Sequence, residues 1–188
     1  MVSLLQLWAP IILSAFLVFV TSSLIHMVLK WHNSDYHKLP NEDEVRTVMR
    51  KGDPAPGQYI VPYCPDPKDM AKPENQQKWI EGPIAMMYVM QRGIPSMGPQ
   101  LGKWFGFNLV VAFFVAYLAS RTVAADANDY LHVFRIVGTV TFLAYSAGGI
   151  PHAIWFGKPW SVVLKECIDG LLYGLVSAGA FGWLWPRG

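Results

Sequence analysis

Charge and cysteine are scarce in this chain of 188 residues, and each scarcity removes a class of function. Asp, Glu, Lys and Arg supply only 15% of the residues against 53% that are hydrophobic, too apolar a balance for a disordered chain or an ordinary soluble domain. Fifteen Lys and Arg against thirteen Asp and Glu leave a formal charge of +2, which gives no basic footprint for nucleic acid. The two cysteines, Cys64 and Cys167, are too few for a disulfide framework and lack CxxC spacing. The sequence has no GxSxG elbow, Walker loop, Rossmann fingerprint, HExxH zincin or CxxCH haem attachment, which lowers the expectation of catalysis. Internal repeats and a matched pair of broken helices are also missing, so an inverted-repeat transporter is not indicated.

What the chain does have is long apolar runs and a positive mean hydropathy of +0.27. About twenty helical residues at 1.5 Å each cross a hydrocarbon core of about 30 Å. Runs of that length cover residues 4–29, 104–125, 130–150 and 161–185. They predict an all-α integral membrane protein with about four transmembrane helices and one long, Pro-rich polar segment between the first and second. The first run is expected to be an uncleaved helix, because no Lys or Arg precedes it and no small-x-small cleavage site closes it. The connection ADAND is short enough to make the second and third helices antiparallel neighbours. The tract PHAIWFGKPW reads as an interfacial turn, with Trp155, Phe156 and Trp160 beside Lys158.

Residues 30–102 form the extramembrane segment. From Lys30 to Lys103 the chain carries ten of its fifteen cations and nine of its thirteen acids. Asn41 followed by Glu42, Asp43 and Glu44 predicts a helix near 42–51, with a capping side chain and acids at the positive end of its dipole. The Pro-rich stretch after it is expected to be irregular and docked onto another surface. The apolar tract at 82–99 is too short and too broken to span, and is expected to be a re-entrant or surface-lying helix. Residues 103–188 then make a three-helix membrane region. The cation bias near the helix ends places the polar segment in the cytoplasm and both termini outside, in a bacterial-type cytoplasmic membrane.

Helix four carries the most regular pattern, Gly170, Gly174, Ala178 and Gly182 at four-residue spacing, which lets another backbone approach closely. The spacing does not say whether the partner is internal or belongs to another chain; an internal one is favoured. The same helix carries Glu166 and Asp169, three apart. An acid at the membrane midplane costs roughly 2.5 to 3.5 kcal/mol, so these two, with His26 in the first helix, form a possible proton or ion-pair site. The bland alternative is an acid reaching the interface beside Lys165.

His32, Asp35, His37 and His152 are weak metal-ligand candidates, since imidazole and carboxylate suit Zn or Cu. Their spacing with His26, H-x5-H-x2-D-x-H, puts no two His on one helical face, so interfacial hydrogen bonding competes well with metal binding. Met86, Met87, Met90 and Met97 resemble thioether ligands but are read as packing.

These features lead to a non-catalytic accessory or scaffold subunit of a larger, energy-converting membrane complex. One alternative is a small oligomeric transporter or ion-conducting protein using Asp169 and Glu166. Another is a metal-dependent membrane enzyme at the His-rich face. The expected partners are the lipid bilayer and other membrane subunits, with no nucleic acid and no directly bound cofactor.

Overall fold

The computed structural model describes residues 2–123 and 130–186. The ADAND connection and Arg187 lie outside them. The chain divides into two compact units, Met1–His37 with Ser96–Gly188, and Lys38–Pro95.

The first unit is a helical bundle. Four of its helices are long and apolar enough to cross a membrane: Leu4–Leu29, Met97–Thr122, Tyr130–Phe156 and Trp160–Leu184. The first begins with a 3-10 turn, Leu4–Leu7, closed by a capping box. The Ser3 side chain accepts from the Leu5 N–H, and the Gln6 side chain accepts from the Ser3 N–H. Helix α1, Trp8–Ser23, follows and passes into a π-helical turn, Leu24–Leu29. Lys30 then takes a left-handed conformation with φ 53°, and a 3-10 turn covers Trp31–Asp35. A left-handed non-glycine residue costs of order 1–3 kcal/mol, and this one turns the chain at the end of the first apolar helix.

The remaining bundle helices, numbered after the three of the second unit, are α5 (Met97–Thr122), α6 (Tyr130–Ser146), α7 (Gly149–Phe156) and α8 (Trp160–Leu184). Two boundaries differ from the sequence expectation. Helix α5 starts at Met97 rather than near 104, because Pro99 is tolerated in a first turn where its missing N–H has no partner to lose. The tract read as an interfacial turn is largely the helix α7. Pro151 has no N–H for a continuous helix, so the break falls before it, at Ala147–Gly148, and the chain restarts as α7 until left-handed Gly157 ends it at φ 69°.

The stripe on α8 packs inside the chain, mainly against α6. A Cβ on Gly174 would lie 2.9 Å from the Gly138 carbonyl oxygen, and the Ala178 Cβ is 3.4 Å from the place a Gly138 Cβ would take. Gly170 faces Ser146, and Gly182 faces the Tyr130 ring. One end of the bundle is filled by Leu7, Val115, Ala116, Val137, Ala178 and Phe181, all buried. Deeper polar groups pair across helices: Ser14 with Ser177 at 2.9 Å, the Trp104 indole with Ser22 at 2.8 Å, and the Tyr145 hydroxyl with Asn108 at 2.9 Å.

The second unit contains α2 (Glu42–Gly52), β1 (Gly57–Val61), α3 (Pro67–Met70), α4 (Pro73–Glu81) and β2 (Ala85–Val89). Asn41 stands at the start of α2 but makes no side-chain cap bond. The two strands pair antiparallel, from Gly57 opposite Val89 to Val61 opposite Ala85. This corrects the expectation of a surface-lying helix at 82–99 and of an irregular Pro-rich stretch. Met86-Met87-Tyr88-Val89 is a short run bounded by Gly82-Pro83 and Gly93, and aromatic and β-branched residues suit a pleated strand. Met86 and Met87 thus sit on the strand and Met90 just beyond it, while Met97 begins α5. No residue of 38–95 is buried, so local hydrogen bonding rather than a core holds these elements.

Candidate functional site

At the opposite end of the bundle from the apolar filling, the reversal after α1 brings the turn Trp31–Asp35 against α8. His32 stacks on His26, with ring centroids 4.6 Å apart and planes at 29°. A regular helix could not place these residues so, because their six-residue separation puts them on different faces. The π turn that carries His26 and the left-handed Lys30 make the contact.

His32 is held between two carboxylates. Its Nδ1 lies 2.6 Å from Asp35 Oδ2, and its Nε2 lies 2.9 Å from Asp169 Oδ2. His26 Nε2 stands 3.6 Å from the same Asp169 oxygen. Asp169 has only 7% of its side chain exposed and Asp35 only 6%, whereas the His26 side chain is 48% exposed. The other Asp169 oxygen, Oδ1, is buried and has no hydrogen-bond partner among the described residues.

Two lysines complete the arrangement. Lys165 Nζ donates to the Trp31 carbonyl at 2.9 Å, to Ser34 Oγ at 2.8 Å and to Asp35 Oδ1, fastening the turn to α8. Lys158 pairs with Glu166. Burial is the largest single influence on the Asp35 carboxyl and pushes it up. The hydrogen bonds and charges of Lys165 and His32 together outweigh it, holding the group below its ordinary value of 3.8. An ionised Asp35 can only accept, so His32 Nδ1 donates to it, and Nε2 is the nitrogen turned towards Asp169.

A carboxyl depressed on folding adds stability that is complete above its unfolded value and is lost as pH falls through its folded one. Asp35→Asn is therefore expected to lower the melting temperature of the chelator-treated protein in detergent at pH 7. The gap to the parent should close in acid, below the ordinary carboxyl value. A gap that stayed constant from pH 7 to pH 3 would contradict the ionised assignment.

These groups line an open cavity of about 620 Å³, whose aromatic wall is Trp104, Tyr145 and Tyr173. Of the residues singled out from the sequence, His26, His32, Asp35, Glu166 and Asp169 line it. His37 and His152 are exposed and stand apart; His152 packs on the Phe156 ring at 5.6 Å. Lys165, which reads from the sequence as an interfacial charge, is the clamp of the turn. No protein-family model, curated protein or solved structure matches the chain.

Proposed function

We propose that this chain is a membrane-embedded enzyme whose working centre is His32 with Asp169, acting on a polar group that enters the cavity from one membrane face. The observation that carries this reading is an imidazole fixed between two buried carboxylates, 2.6 Å from one and 2.9 Å from the other, on the wall of an open cavity. Ionisable groups inside spanning segments are costly and mark functional sites by default. Asp35 orients the ring through Nδ1. Nε2 and the Asp169 carboxylate beside it are then the groups left to engage a polar ligand in the cavity. The absence of a sequence motif is no obstacle, since the groups come from the α1 end, the following turn and α8.

Two other readings draw less support. A conducting route within one chain would have to continue past Leu7, Val115, Val137 and Phe181, which are buried, so conduction would need a path between copies. The accessory-subunit reading rests on the small-residue stripe and on a Pro-rich segment in need of a docking surface, and the stripe is spent on contacts within the chain. By the cation bias, the cavity opens towards the cytoplasmic face of a bacterial-type membrane.

The test is to reconstitute the parent and His32→Ala in vesicles of total membrane lipid, supply a small-molecule extract of cells, and follow both pools by mass spectrometry. The parent is expected to deplete at least one compound that His32→Ala leaves intact. Identical profiles would remove the enzymatic reading.

A further inference from the structure

We propose that His26, His32 and Asp169 bind one divalent transition-metal ion of the zinc class. The inference rests on reading the His32 centre as the working site and names the cofactor of that same site. One ligand atom from each residue lies within 4.8 Å of the others. Ligands about 2.1 Å from a tetrahedral ion stand about 3.4 Å apart. The measured separations to Asp169 Oδ2, 2.9 Å from His32 Nε2 and 3.6 Å from His26 Nε2, bracket that value.

Three further observations favour a cation here. Among the carboxylates lining the cavity, Asp35 is met by Lys165 and Glu166 by Lys158, while Asp169 meets only imidazoles among the described residues. A metal would supply the missing positive charge and also give the orphaned Asp169 Oδ1 a use, by carboxylate rotation or two-oxygen binding. Asp35 on Nδ1 completes a carboxylate–histidine–metal arrangement, which fixes the tautomer and leaves Nε2 facing the ion. The donor set has two nitrogens and a carboxylate and no sulfur, which suits Zn, Fe, Co or Ni rather than Cu(I). With three protein ligands beside an open cavity, coordination positions remain for water or a ligand, and the ion would supply Lewis acidity there.

Untagged full-length protein in detergent, stripped with a chelator and dialysed, is titrated with Zn2+ by calorimetry and with Co2+ by visible absorption. The expected result is one saturable equivalent per chain, with Co2+ bands of a nitrogen and oxygen site. His26→Ala, His32→Ala and Asp169→Asn should each abolish that equivalent. Asp35→Asn should weaken it about 10- to 100-fold, and His37→Ala and His152→Ala should leave it intact. His26 is half exposed, so its variant removes a ligand with little threat to folding and is the decisive one. Binding well below one equivalent, or binding unchanged in His26→Ala, overturns the proposal. A reaction lost in His32→Ala alongside such a negative titration would leave the enzymatic reading standing without its metal. One tight equivalent with no reaction would leave the metal standing without the enzyme.

Discussion

Gly174→Val is expected to destabilise the bundle by about 3 kcal/mol, the upper end of the usual cost of overpacking. The reason is what the new side chain meets. Even a bare Cβ at Gly174 would sit 2.9 Å from the Gly138 carbonyl oxygen and 3.5 Å from Phe142. That oxygen belongs to the backbone ladder of α6 and cannot rotate aside, so the whole α6–α8 contact must open. At Gly170 the obstacle is the Ser146 hydroxyl, which can turn away, so Gly170→Ala should cost less. A Cβ at Gly179 meets nothing within 4 Å, and Gly179→Ala should stay within about 0.5 kcal/mol of the parent. Melting in detergent, followed by the monodisperse fraction on gel filtration, ranks the three. Equal losses at 174 and 179 would mean that the stripe does not set helix separation.

Lys165→Met is expected to cost about 3 kcal/mol, the low end of the loss from breaking a buried ion pair, because Lys165 is partly exposed and His32 remains as a second partner of Asp35. The variant removes three hydrogen bonds that fasten the turn to α8 and leaves a nearly buried carboxylate without its ammonium. Adding Asp35→Asn to Lys165→Met removes the stranded charge and should recover about half of the loss, since an apolar or neutral replacement of both partners is far cheaper than removal of one. The readout is again detergent melting. A double variant as unstable as the sum of the singles would show that the two groups act independently.

The four helices long and apolar enough to cross a membrane are readable because length and apolarity alone define them, and Gly170, Gly174, Ala178 and Gly182 stand out by their period. His26, Glu166 and Asp169 were visible as polar exceptions within apolar runs. What periodicity could not convey was the meeting of His26 with His32. A face argument assumes a regular helix, and here a π turn and a left-handed lysine interrupt it, so the six-residue spacing that argued against a shared site brings the rings together. The strands β1 and β2 were hidden for another reason. Each is five residues long in a Pro-rich stretch, and their pairing joins segments separated by two helices, a non-local relation that local patterning does not encode. Lys165 was assigned to the interface by its neighbours, whereas its partners come from residues 31–35 on a different part of the chain.

His32, in the turn after the first apolar helix, and Asp169, on α8, form one physically coupled centre. A double-mutant cycle of His32→Ala and Asp169→Asn, read as unfolding free energy in detergent, measures that coupling without knowledge of any ligand. A coupling of about 1–2 kcal/mol is expected for two groups in direct contact. Effects that add to within about 0.4 kcal/mol, as for sites that do not touch, would contradict the account.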